Sequence, residues 1–158
     1  MQITISGTDI LTLNLTPVTT VVEAWLTQGT IANQEQTIVL KINFERAPED
    51  PRELSEIPEI RLWFVRLDSL YPWLVFLLDW RAGELARYTA MLVPHEFHRS
   101  EGIQYNPEAL EIFVMQKVFV LTQWLPQIGI KSPAKIKDMA KVLGYELDDS
   151  FFQLIGIE

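Results

Sequence analysis

Two histidines and two carboxylates crowd one short stretch of the chain: His95, Glu96, His98 and Glu101, just after Pro94. Two imidazoles and a carboxylate are adequate zinc ligands, and on a helix this spacing would set them on one side. The zinc-protease signature asks for histidines four apart, and here they are three apart. The plainer alternative is a polar loop between two helices, so no metal and no other cofactor is assigned. A second cluster sets Asp68, Asp79 and Glu84 among Arg61, Arg66, Arg81 and Arg87. Carboxylates in such a group serve acid–base chemistry when burial drives their pKa values apart. A small enzyme or ligand-binding domain would use them that way. The structural alternative is favoured, because Glu84 and Arg87 stand three apart and pair on a helix surface. Trp63, Tyr71, Trp73, Trp80 and Tyr88 interleave with these charges and would cover the arginine stems.

A third stretch, Lys135 to Phe152, has the outline of a helix-turn-helix, with a basic stripe from Lys131, Lys135, Lys137 and Lys141. Ser150 stands where that motif wants an aliphatic core residue. Asp148 and Asp149 fall at the helix end that would approach DNA. A solvated helix face accounts for the stripe. No phosphate-cradling glycine loop and no nucleophile elbow is present. No catalytic residue is assigned, and a binding role is expected.

The elements that must position these residues can be read from spacing. Gln2 to Ser6 alternates as a strand does, Ile10 to Leu15 reads as a second short strand, and Gln36 to Glu45 as a strand with Ile38, Leu40, Ile42 and Phe44 on one side. Together they predict a small N-terminal antiparallel sheet. Thr16-Pro17 marks a first helix capped by the threonine hydroxyl, and Gly29 ends it. Arg46 to Pro58 is proline-rich and acidic, an exposed connector. Behind it, four or five packed helices are expected. One begins at Pro58, with Ser55 near its cap, and carries Ile60, Trp63, Phe64, Leu67 and Leu70 inward. The next spans Asp79 to Met91. A third runs from Asn106-Pro107 to about Gln127 and is apolar on most sides, with Ile112, Met115 and Phe119 as a second face. Such a helix belongs at the centre. Two short helices follow, the last capped by Asp148-Asp149. The fold class is α+β in one domain over 1–158: a β-containing front at 1–45, the connector at 46–57 and a helical part at 58–158.

Composition agrees with a globular binder. The apolar share is 48%, and the net charge of -8 works against unassisted binding to nucleic acid or an anionic membrane surface. No cysteine is present, which excludes thiolate metal sites and a cysteine nucleophile. Leu62 to Leu78 and Ile112 to Leu125 are apolar but interrupted, by Arg66, Asp68 and Pro72 and by Gln116 and Lys117. Neither reaches the ~20 uncharged residues of a membrane span. The N-terminus has neither a basic region nor an apolar run for export, so a cytoplasmic location is expected.

Several ordered runs resemble one known family. Asp50 to Phe64 (DPRELSEIPEIRLWF) is the longest, followed by Tyr71 to Leu74 (YPWL), Asp79-Trp80 and Ala82 to Tyr88 (AGELARY). Met91 to His95 (MLVPH) and Glu101 to Glu111 (EGIQYNPEALE) continue it. These runs resemble the chlororespiratory reduction six family over roughly Asp50 to Leu125. The resemblance implies an assembly factor for the photosynthetic NAD(P)H dehydrogenase-like complex that cycles electrons around photosystem I. It implies a client, the peripheral iron–sulfur subunit I or a subcomplex containing it, and a home in cyanobacteria or chloroplasts. The absence of a transit peptide fits a cyanobacterial member. No catalytic residue is carried over. A cysteine-free chain has no thiolates to scaffold a cluster, so its help must come from gripping the client's polypeptide. Interface energy concentrates in Trp, Tyr and Arg. The expected grip is Arg52, Arg61, Trp73, Trp80, Arg81 and Arg87, whereas Trp63 is assigned to the core. A subunit that stays in the complex is the further alternative.

Overall fold

A computed structural model describes residues 1–156. Its architecture is α+β. The chain opens with strand β1, Gln2–Ser6, and turns at once into a short helix α1, Gly7–Leu11. The Ile10 segment is therefore helical, where alternation predicts a strand. Ser6 and Asp9 explain it. The Ser6 hydroxyl accepts from the Asp9 amide while the Asp9 carboxylate accepts from the Ser6 amide, a reciprocal cap that nucleates a turn.

Helix α2, Thr16–Gln28, follows, and strand β2, Val39–Asn43, comes after it. The threonine hydroxyl does not cap α2; the Asn14 side chain accepts from the Thr16 amide instead. Gly29 ends the helix at φ 66°, a left-handed position where a side chain is strained. The strands pair in parallel, with Gln2 opposite Val39 and Ile5 opposite Ile42, not antiparallel as expected. A parallel pair needs a crossover of a dozen residues or more, and α1 and α2 supply it. The far edge of β2 is also engaged: Ile38 bridges in parallel to Leu78, with its amide on the Leu77 carbonyl and its carbonyl accepting from Asp79.

The acidic connector carries one 3-10 turn, Leu54–Glu56, and leads into helix α3, Pro58–Leu70. Ile60, Trp63, Phe64 and Leu67 are buried, at about 1.5–3 kcal/mol of hydrophobic stabilisation each; Leu70 faces solvent. The Trp63 indole donates to the Asn14 carbonyl across 2.9 Å, joining α3 to the β front. Leu74 to Leu78 are buried without exception. Helix α4, Glu84–Leu92, starts later than its apolar spacing predicts. The Asp79 carboxylate accepts from the Arg81 and Ala82 amides, and Gly83 sits at φ 76°, so Asp79 to Gly83 form a turn.

Strands β3, His95–His98, and β4, Gly102–Tyr105, make an antiparallel hairpin where a polar loop is expected. Helix α5, Pro107–Trp124, begins under an Asn106 cap and passes into a 3-10 turn, Leu125–Ile128, at Pro126, with Gly129 left-handed behind it. It buries Phe113, Val114, Lys117, Val118 and Leu121. Its second apolar face is not buried: Ile112 and Phe119 are exposed. Helices α6, Ala134–Val142, and α7, Asp149–Leu154, close the fold, α7 under the predicted Asp148 cap. Side chains from β1, β2 and all seven helices share one buried core.

Candidate partner-binding surface

The carboxylates that could form a reaction centre are held apart, each in its own duty. Asp79 stabilises the turn before α4. Glu84 is buried; one oxygen accepts from the Leu40 amide at 3.1 Å and the other pairs with Arg87 at 2.8 Å. It thereby ties β2 to α4. Asp68, on α3, pairs with Lys117 of α5 and accepts from the Tyr88 hydroxyl of α4 at 2.8 Å. One carboxylate thus joins three helices. Burial pushes the Lys117 ammonium below its ordinary value despite the pull of Asp68, and burial with the Asp68 charge pushes the Tyr88 phenol well up. The Phe113 ring lies 5.0 Å from the ammonium. By type alone Lys117 argues for the surface. Its signal is positional, since it stands four residues from both Phe113 and Leu121 on the buried face.

The two histidines part company on the hairpin. Strand residues three apart point to opposite faces, so β3 turns His95 inward and His98 to solvent. The His95 Nδ1 lies 2.9 Å from the Val93 carbonyl, which only accepts, so that nitrogen carries the proton. Its Nε2 meets the Ser55 hydroxyl at 3.0 Å. Both ring nitrogens are engaged, and Ser55 pins the hairpin to the connector rather than capping α3. No group of three or more metal-ligating side chains occurs among the described residues.

Where the hairpin, connector and α4 meet, an open groove of about 210 Å3 remains. Glu53, Leu54 and Ser55 line it from the connector, and Arg87, Ala90 and Met91 from α4. Phe97 and Ile103, register partners across the hairpin, complete it. The hairpin is fixed on both sides, by Ser55 at His95 and by the Tyr105 hydroxyl donating to the Ala86 carbonyl at 3.1 Å. Phe97 nevertheless keeps 49% of its surface in water. A pocket with apolar walls and a few fixed polar groups is suited to taking an apolar side chain.

The six residues expected to grip a partner do not form one surface. Arg87 lines the groove, Arg61 donates to the Met91 carbonyl behind it at 3.3 Å, and Arg52 lies on the connector paired with Asp50 at 2.7 Å. Trp73 stacks face to face on Trp124, with ring centroids 4.2 Å apart, and the Trp80 indole donates to the Val75 carbonyl. Both tryptophans pack against the core with part of their surface open. Arg81 is exposed. The basic stripe of α6 is partly neutralised, Lys135 by Glu35 at 2.7 Å and Lys137 by Asp149.

The fold is α+β, with its buried charges joining one element to the next and an apolar groove open beside Arg87. The chain belongs to the Chlororespiratory reduction 6 family, whose model matches residues 5–154. The match runs from the end of β1 through α7, beyond the central runs that carry the resemblance in the sequence. The family is an assembly-factor family, linked to assembly of the NAD(P)H dehydrogenase-like complex. No solved structure matches the chain. Among the described residues no helix is long and apolar enough to cross a membrane.

Proposed function

We propose that this protein is a non-enzymatic assembly factor that holds the iron–sulfur subunit I of the NAD(P)H dehydrogenase-like complex, or a peripheral subcomplex containing it, during assembly. The groove between the connector, α4 and the hairpin is the grip, and it is the observation that carries the reading. It takes an apolar side chain of the client against Met91, Phe97 and Ile103, with Arg52, Arg61 and Arg87 around it for acidic or carbonyl groups. Trp73, Trp80 and Arg81 would extend the contact elsewhere. The chain has no cysteine, so its contribution to a cluster-bearing client is to hold polypeptide.

The test is capture of subunit I from a cyanobacterial extract by tagged wild-type protein, Phe97→Ser, Arg61→Ala and Arg81→Ala. The three variants should fold: Arg81→Ala is a surface change worth about 0.5 kcal/mol, and Arg61→Ala loses one hydrogen bond to the Met91 carbonyl, about 1 kcal/mol, so each is compared with wild type by circular dichroism before capture. Phe97→Ser and Arg61→Ala should each lose about tenfold or more in capture, and Arg81→Ala much less. If folded Phe97→Ser and Arg61→Ala capture the client as wild type does, the groove is not the grip.

A further inference from the structure

The outward side of α5 presents Ile112, Met115 and Phe119 at helical spacing, one above the next. Ile112 is 71% exposed and Phe119 45%. The Phe151 ring of α7 stands 6.3 Å from that of Phe119, and Leu154, one turn further on, is 85% exposed. Five apolar side chains thus continue one stripe from α5 onto α7. Singly exposed apolar residues are ordinary, but a contiguous run of this length marks a contact site.

The charges around the stripe select its occupant. Glu108 and Glu111 are exposed at its α5 start, and Gln116 and Gln123 flank the rest without charge. The single cation of α5, Lys117, is buried on the opposite side against Asp68. A second copy of the chain would bring another -8 and the same glutamates to the face. An anionic lipid surface meets the same repulsion.

We infer that this stripe docks an amphipathic helical segment of a protein partner, one whose apolar residues recur at three- and four-residue spacing and whose Lys or Arg residues meet Glu108 and Glu111. The site is separate from the groove, and its test does not depend on the groove.

The probe is a fluorescein-labelled helical Leu/Lys peptide of about four turns, followed by anisotropy against its Leu/Glu counterpart. The Leu/Lys peptide should bind wild type and weaken with added salt, while the Leu/Glu peptide should not bind. The double variant Ile112→Ser/Phe119→Ser should weaken binding about tenfold or more. Glu108→Lys/Glu111→Lys leaves the apolar residues in place and should also weaken it. Two controls, Leu62→Ser/Val65→Ser on α3 and Phe97→Ser in the groove, should bind as wild type does. Equal binding by the double variant, or equal binding of the two peptides, overturns the inference. So does a wild-type dimer by light scattering that the double variant dissolves, or sedimentation with anionic vesicles that depends on Ile112 and Phe119.

Discussion

Replacing Asp68 with alanine takes the partner from a cation that water does not reach. Lys117 has 0% of its side chain exposed, whereas Asp68 keeps 15%. The Tyr88 hydroxyl loses its acceptor at the same time. The stranded ammonium must stay charged among apolar groups or give up its proton, and deprotonation sets the ceiling. From the ordinary value of 10.5 down to pH 7 is three and a half units, at about 1.36 kcal/mol each. The ammonium alone therefore costs no more than about 5 kcal/mol, in line with the about 3–5 kcal/mol typical of breaking a buried pair. A lysine whose folded pKa lies below its unfolded one leaves the native state with fewer protons, so stability rises with pH between the two values. The penalty should accordingly shrink by up to about 1.4 kcal/mol per unit above pH 7. Urea melts at pH 7 and pH 9 measure it, provided the slopes match wild type. Lys117→Met should be milder, about 1–3 kcal/mol, because the remaining carboxylate keeps Tyr88 and some water. Asp68→Leu/Lys117→Met should recover most of the loss, remaining about 1–3 kcal/mol below wild type because the Tyr88 hydroxyl still lacks its acceptor. A loss under about 1 kcal/mol for Asp68→Ala at pH 7, or a gap to wild type that does not narrow at pH 9, refutes the reasoning.

Glu84→Ala should cost about 2–3 kcal/mol, because it orphans the buried Leu40 amide, and hydrogen exchange at Leu40 should accelerate. Asp50 should titrate at about 2, held down by the side-chain and backbone hydrogen bonds and the charge of Arg52; Arg52→Ala should raise it in an NMR titration of its carboxyl carbon, short of the ordinary carboxylate range because the backbone amide at position 52 still donates to it.

The helical part was legible because its punctuation is strong. Asn106-Pro107, Pro58, Pro72, Gly129 and Asp148 all fall at the element ends that their chemistry dictates. The front misled because alternation does not distinguish parallel from antiparallel pairing. The deciding feature, the Ser6–Asp9 cap, hides in a stretch whose apolar residues also alternate. The hairpin was hidden in the same way: a polar tetrapeptide with two histidines reads as a loop until Phe97 is seen paired with Ile103. Of the expected grip, the arginines near the groove could be found by type. The groove itself could not, since Ser55 and His95 are forty residues apart and only the fold joins them. The charge of Lys117 argues for the surface, while its register with Phe113 and Leu121 places it inside.

The parallel pairing at the front also orders events during synthesis. β1 is made before its hydrogen-bonding partner, which begins only at Val39, and the Ile38 edge beside β2 in turn waits for Leu78. At translation speeds of roughly 5–20 residues per second, each wait lasts on the order of seconds. β1 is thus an unpaired strand with Ile3 and Ile5 uncovered for that interval.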